Sequence, residues 1–255
     1  MRTIIEQKLK EIEQKENVVI LYAVESGSRA WGFASTNSDY DVRFIYIRNP
    51  EHYWKLEKTK DVIEWQLDET LDINGWDLQK ALRLLHRSNA TLFEWLSSPI
   101  VYRTCDIWEE IRPQMMQCFL AKTGQYQYLH TAQKQYDRYL TGESVKLKKY
   151  FYVLRPLLAV KWIQKYQTPP PMLFETLVED VLEQDLKPIV TDLLEQKRTV
   201  TEKGETLPNA ILQTYLEKNL QKCKEDIVFK ETKKKQSYAV LNDMFLKVLH
   251  TIYEN

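Results

Sequence analysis

The stretch Glu25-Ser26-Gly27-Ser28-Arg29-Ala30-Trp31-Gly32, followed by Ser38-Asp39-Tyr40-Asp41-Val42-Arg43, decides the fold of this chain. It comes directly after Val18-Val19-Ile20-Leu21-Tyr22-Ala23-Val24, a continuous β-branched and aromatic run of the kind that forms a strand buried on both faces. Gly27-Ser28 then opens a short helix. The unpaired N–H groups and partial positive charge of a helix start suit a phosphate. Glycine lets the backbone come close, and the serine hydroxyl donates to a phosphate oxygen. Asp39 and Asp41 stand two apart at the start of a second strand, so both carboxylates fall on one face. Such a pair suits Mg²⁺, which takes one or two carboxylates plus phosphates and water. Two ions of this kind clamp the attacking and leaving oxygens of an in-line phosphoryl displacement. A Gly-Ser dipeptide alone reads as a turn, and an Asp-x-Asp alone as a solvated strand end. Their combination at this spacing is specific.

Outward from this stretch the chain is asymmetric. Thr3–Glu16 places Ile4, Ile5, Leu9 and Ile12 on one helical face. Tyr40–Ile47 reads as the second strand, closed by Arg48-Asn49-Pro50. Val62–Leu67 reads as a third and Thr70–Ile73 as a short fourth, paired around Asp68-Glu69. From Trp76 the period changes from 2 to about 3.6. Helices are expected at Asp77–Arg87, Thr91–Ser97, Asp106–Cys118, Ala121–Leu140, Ser144–Tyr166, Phe174–Leu182, Ile189–Glu202, Asn209–Lys224 and Gln236–Tyr253. Thr141-Gly142, Thr168 to Pro171 and Gly204 to Pro208 punctuate them. The expected class is therefore α+β: a small mixed β-sheet head over residues 1–100, followed by an all-helical domain over residues 101–255.

Composition bounds the function. The chain has 255 residues, 44% apolar and 28% charged, which suits one or two soluble globular units. No apolar run approaches the roughly 20 residues of a membrane helix. The N-terminus has no apolar leader core, so no secretory signal is expected. Three scattered cysteines fit neither a disulfide framework nor a zinc site. Together these features give a cytoplasmic expectation with no membrane partner. The 36 basic residues balance 36 acidic ones, so the chain lacks the excess charge that coats nucleic acid non-specifically.

Gly27-Ser28, Gly32 and Ser38-Asp39-Tyr40-Asp41 resemble the signature of the DNA polymerase beta-type nucleotidyltransferase superfamily. Glu25–Gly32, Asp39–Arg43, Asp72–Leu78, Phe93–Pro99 and Lys148–Pro156 resemble one branch of it, the RNA repair pathway DNA polymerase beta (YcgL/RlaP-like) family. The resemblance spans roughly residues 18 to 175. It implies a nucleotidyltransferase head followed by helices, and transfer of a nucleotidyl group from a nucleoside triphosphate such as ATP. It also implies Mg²⁺ as cofactor, with two ions and Mn²⁺ as an alternative, and release of pyrophosphate. Gly27 and Ser28 would hold the triphosphate, and Asp39 and Asp41 the metal. The resemblance adds Lys149 and Tyr150 as nucleotide-binding residues. It leaves the acceptor open between an RNA 3′ end, a protein hydroxyl and a small molecule. An antitoxin-like or nucleotide-sensing binding module, with this fold and no transfer, is the alternative.

The superfamily has a third metal-binding carboxylate on a later strand, and Asp68, Asp72 and Asp77 compete for that role. Asp68 sits where an acid makes a turn, and Asp77 where it favours a helix start. Asp72 lies inside a strand-like run with Leu71 and Ile73 toward the core, so Asp72 is the expected ligand. Arg29 is placed to pair with a phosphate, Glu25 or Asp41. Arg43 is placed either to hold the Asp cluster or to meet substrate. Lys230–Lys235 reads as a solvated charge run, and Tyr126, Tyr128, Tyr136 and Tyr139 as packing residues rather than base-stacking ones. The isolated histidines have no metal-ligand spacing.

Overall fold

The computed structural model describes residues 1–57, 59–68, 70–142, 144–199, 205–206, 208–227 and 233–254. The chain divides into two compact units, one of residues 1–30, 39–119 and 235–255, the other of residues 31–38 and 120–234. The class is α+β, as expected, with a five-stranded mixed sheet in the first unit.

The first unit starts with α1 (Arg2–Glu16), which buries Ile5, Leu9 and Ile12 and ends at Asn17 in the left-handed region. The elements that follow are β1 (Val18–Glu25), α2 (Gly27–Ala30), β2 (Tyr40–Arg48), α3 (Pro50–Tyr53), β3 (Val62–Leu67) and β4 (Leu71–Asp77). Next come α4 (Leu78–His86), α5 (Ala90–Leu96), β5 (Val101–Arg103) and α6 (Asp106–Met116). The strand order is β3-β4-β2-β1-β5. Among the described residues β2 and β4 run parallel, and the other neighbouring pairs of this sheet are antiparallel. Beneath one face, α1 joins a core of Ile20, Ala23, Val42, Phe44, Tyr46, Leu71 and Ile73. On the other face Tyr22 stacks on Trp108 of α6, and Trp76 on Trp95 of α5. Both pairs are stacked, an arrangement that aromatic rings favour when offset.

Two expectations are corrected here. The fourth strand does not stop at Ile73. It runs through Asn74-Gly75-Trp76 to Asp77, because β2 and β3 pair with it on both sides. Gly75 allows this, since a Cβ there would strike the Phe44 ring. The expected boundary at residue 100 also moves. Val101–Arg103 adds an edge strand to β1, α6 packs on the sheet, and the C-terminal helix rejoins the first unit. The unit therefore continues to Phe119 and resumes at Lys235.

The second unit contains α7 (Ala121–Tyr139), β6 (Val145–Lys146), α8 (Leu147–Tyr166), α9 (Phe174–Val181), α10 (Lys187–Thr199), β7 (Glu205–Thr206) and α11 (Ala210–Asp226). The last helix, α12 (Tyr238–Tyr253), belongs to the first unit. Helix α8 is buried on most sides, including Tyr150, Phe151, Leu154, Leu157 and Ile163. A helix without a polar face is a core helix. The short β6–β7 pair, Val145 with Thr206 and Lys146 with Glu205, has no counterpart in the sequence reading. Residues 31–38, between the Gly-Ser turn and the Asp pair, also pack here. Phe33 meets Phe151 and Phe174, and the Phe174 N–H donates to the Trp31 carbonyl at 2.9 Å. Glu69 and Lys230–Thr232 lie outside the described residues.

Candidate active site

The site grows from the parallel pairing of β2 and β4. The Tyr40 N–H donates to the Thr70 carbonyl at 2.8 Å, which starts the two strands side by side and sets Asp41 directly across from Asp72. Alternation along β4 turns Leu71 and Ile73 into the core, 3% and 1% exposed, and Asp72 to the opposite face. Asp41 and Arg43, two apart on β2, share that face. One guanidinium nitrogen of Arg43, Nη2, donates to Asp41 Oδ1 at 2.9 Å and to Asp72 Oδ2 at 2.6 Å. The two oxygens are thus less than about 6 Å apart, two charge-assisted bond lengths. Nη1 donates to the carbonyls of Asp72 at 3.0 Å and Val42 at 3.1 Å. Of the two roles open to Arg43, the geometry supplies the first: it holds the acidic cluster.

The second carboxylate oxygen of Asp41 rests against the turn after β1. Gly27 has φ +58°, and a Cβ there would lie 2.8 Å from the Asp41 carboxyl carbon. Glycine is therefore required twice at this point, for the left-handed backbone and for the approach of Asp41. The Ser26 N–H donates to the Asp41 carbonyl at 2.8 Å, so the Gly-Ser turn and the β2 carboxylate are fixed to each other. Helix α2, Gly27–Ala30, is a single turn. Its dipole is correspondingly small.

Glu25 is a component that the sequence reading left without a role of its own. It is wholly buried. Its carboxylate accepts from the Asp41 N–H at 2.7 Å and from the Tyr102 hydroxyl. Its own N–H donates to the Ile100 carbonyl at 2.9 Å, and its carbonyl accepts from the Ser98 hydroxyl at 2.6 Å. Burial raises its pKa, while the bonds from Tyr102 and Asp41 oppose that rise. The signal in the sequence is a charged residue closing a run of buried apolar ones, since a buried carboxylate needs dedicated donors.

Asp39 is exposed. Its carbonyl accepts from Arg29 Nε at 3.0 Å, and the Arg29 guanidinium lies 3.7 Å over the centre of the Tyr40 ring. Arg29 thereby secures the backbone between the two aspartates. Burial raises the Asp41 pKa; the Arg43 charge opposes this, and the Asp39 and Asp72 charges add to it. Among the described residues, no three His, Cys, Asp or Glu side chains are grouped as a ready metal cluster. At Asp41 and Asp72 the partner that the two carboxylates share is the Arg43 guanidinium.

The competing acids have local duties. Asp68 Oδ1 accepts from the N–H groups of Thr70 and Leu71, both at 2.8 Å, and makes the β3–β4 turn. Asp77 caps α4 through the Gln79 N–H at 2.8 Å and accepts from the Tyr53 hydroxyl at 2.9 Å. Asp77→Ala is therefore expected to lower stability by about 1–2 kcal/mol, the loss of a helix cap, without weakening divalent-ion binding. Thermal melts with and without Mn²⁺ check this; an equal ion-induced rise in Tm in both proteins is the expected outcome.

Gly27, Ser28, Arg29, Asp39, Asp41 and Asp72 thus all lie in the first unit, whereas Lys149 and Tyr150 belong to the second. Tyr150, expected at the nucleotide, is wholly buried, and its hydroxyl accepts from the Asn209 N–H at 2.9 Å. Its ring has no open face. The Lys149 ammonium sits 3.6 Å from the centre of the Tyr139 ring and 4.9 Å from that of Tyr152, a cation–π arrangement. Of the tyrosines read as packing residues, Tyr128 and Tyr136 are buried and Tyr126 is exposed.

The sequence model of the RNA repair pathway DNA polymerase beta family, RlaP, matches residues 1–247. The Bacillus subtilis (strain 168) protein described as "Uncharacterized protein YcgL" is 42% identical over 257 residues, covering 100% of this chain and 99% of that one. A nucleotidyltransferase-like protein from Exiguobacterium sibiricum, known from a crystal structure, aligns over 97% of this chain and 80% of its own. That alignment has 15% identity and a TM-score of 0.31. No helix among the described residues is long and apolar enough to cross a membrane.

Proposed function

Because the chain belongs to the RNA repair pathway DNA polymerase beta family, we propose that it is a Mg²⁺-dependent nucleotidyltransferase that moves a nucleoside monophosphate from a nucleoside triphosphate to an acceptor hydroxyl. The observation that carries the reading is the convergence of Asp41, Asp72 and the Gly27-Ser28 turn, with Asp41 in register with Asp72 and seated against Gly27. The donors are hard carboxylate oxygens that already surround one positive group, Arg43 Nη2. This chemistry fits a divalent ion, which Asp39, Asp41 and Asp72 would hold.

Within this reading, the N–H groups of the Gly27-Ser28 turn and the Ser28 hydroxyl bind the triphosphate. Arg29, stacked on Tyr40, fixes Asp39 beside it. Mg²⁺, when bound, supplies charge neutralisation at the phosphates and makes the acceptor hydroxyl more acidic. The acceptor oxygen bonds to the α-phosphorus, the bond to the β-phosphate oxygen breaks, and the hydroxyl proton passes to solvent. Glu25 keeps the Asp41 backbone in place throughout. The acceptor classes are an RNA 3′ end, a protein hydroxyl and a small molecule, and the near balance of charge favours a short contact over a long RNA footprint.

The test is incubation of the protein with Mg²⁺ and each labelled triphosphate, with total RNA and cell extract as acceptors. Label on RNA or protein, or pyrophosphate release that depends on the extract, is the expected outcome. Tight triphosphate binding with neither would make the protein a nucleotide sensor instead. Ser28→Ala is expected to weaken triphosphate binding about ten- to a hundredfold, the worth of one hydrogen bond to a charged group, with an unchanged melt. Calorimetric titration checks it; unaltered affinity would reduce the Gly-Ser segment to a plain turn.

A further inference from the structure

The acidic cluster already contains a cation, and it is part of the chain. Arg43 Nη2 touches one oxygen of each carboxylate, at 2.9 and 2.6 Å, while Nη1 is tied to two backbone carbonyls at 3.0 and 3.1 Å. The placement is built into the sheet. Asp41 and Arg43 share a face because they are two apart on β2, and the parallel register brings Asp72 across from Asp41. Asp41 Oδ1 and Asp72 Oδ2 are the oxygens that Nη2 already takes, so a divalent ion held by both would compete with the guanidinium for them. The other Asp41 oxygen faces Gly27 and offers a single carboxylate donor.

We infer that Arg43 is the resident counter-ion of this site: it holds Asp41 and Asp72 together without metal, and it must move aside before a divalent ion can bridge them. The inference rests on the metal site of the proposed function and adds to it an order of events. Free ion binds weakly, because binding costs the guanidinium its charge-assisted contacts. A triphosphate offers that guanidinium another anion, so ion and triphosphate bind with positive coupling. Such coupling is reciprocal by linkage. Arginine suits the task because its planar fork spans two carboxylates and carbonyls at once, which an ammonium does not.

The experiment is Mn²⁺ binding to the full chain, followed by electron paramagnetic resonance of the free ion. Wild type and Arg43→Met are compared, with and without α,β-methylene ATP. Arg43→Met is expected to bind Mn²⁺ alone about ten- to a hundredfold more tightly, the worth of one charged hydrogen bond released. The analogue is expected to tighten Mn²⁺ binding in wild type and to do so much less in the variant. Equal or weaker Mn²⁺ binding by a variant with a cooperative melt overturns the role of Arg43 and leaves the metal site standing. Failure of both proteins to bind Mn²⁺, with and without the analogue, overturns the metal site and the role of Arg43 together. Should Arg43→Met not fold, Arg43→Lys carries the same comparison. Its ammonium cannot make all four contacts, so tighter Mn²⁺ binding than wild type is again expected, and equal affinity refutes the inference.

Discussion

Replacing Gly27 with alanine is expected to remove nucleotidyl transfer and to destabilise the first unit at the same time. Two effects act together. The left-handed backbone at φ +58° costs a residue with a Cβ about 1–2 kcal/mol. The new methyl would also sit 2.8 Å from the Asp41 carboxyl carbon, closer than non-bonded atoms tolerate. Asp41 cannot retreat easily, because its N–H is held by Glu25, its carbonyl by Ser26 and its Oδ1 by Arg43. The expected result is a Tm lower by several degrees and a loss of transfer greater than about a hundredfold. A melt and a transfer assay on the same preparation check both. An alanine variant with wild-type turnover would show that the Asp41 carboxylate does not depend on the Gly27 backbone.

Asp39→Asn and Asp41→Asn are expected to act differently: transfer is lost while the fold stays intact. Removing an outer-shell partner of a metal ligand costs about 10- to 100-fold, so loss of a ligand itself is expected to exceed that range for each variant. Stability is expected to hold within about 1 kcal/mol. Asp39 is exposed, and substitution of an exposed residue away from special features costs little. At Asp41 burial disfavours the ionised form, so a neutral isostere is tolerated, and Arg43 keeps its bond to Asp72. Near-wild-type turnover of either variant would contradict its assignment as a metal ligand. Loss of the cooperative melt would point instead to a structural role.

The parts of this site that local chemistry specifies were legible in the sequence. The buried run Val18–Val24 becomes β1, and the alternation around Asp72 puts its carboxylate on the face opposite Leu71 and Ile73. Asp77 and Asp68 serve as cap and turn residues, as their positions imply. What the sequence did not reveal depends on pairing between distant segments. The bridge through Arg43 requires the parallel register of Asp41 with Asp72, which no spacing within β2 reports. The extension of β4 through Asn74-Gly75 requires partners on both sides, which override the local turn signal of those two residues. The expected boundary at residue 100 overlooked that Val101–Arg103 has a strand edge to join and that α12 packs back onto α4 and α6. Tyr150 shows the same limit. The resemblance pointed it at the nucleotide, and the Asn209 N–H that its hydroxyl meets comes from a segment 59 residues away.

The most direct measurement compares two labels on one triphosphate in the presence of Mg²⁺ and cell extract. Nucleotidyl transfer at Asp39, Asp41 and Asp72 is expected to place label from the α-phosphate on an acceptor and to release label from the γ-phosphate in pyrophosphate. Neither is expected to occur with Asp41→Asn. Transfer of the γ-label to the acceptor, or α-label incorporation that persists in Asp41→Asn, would contradict it.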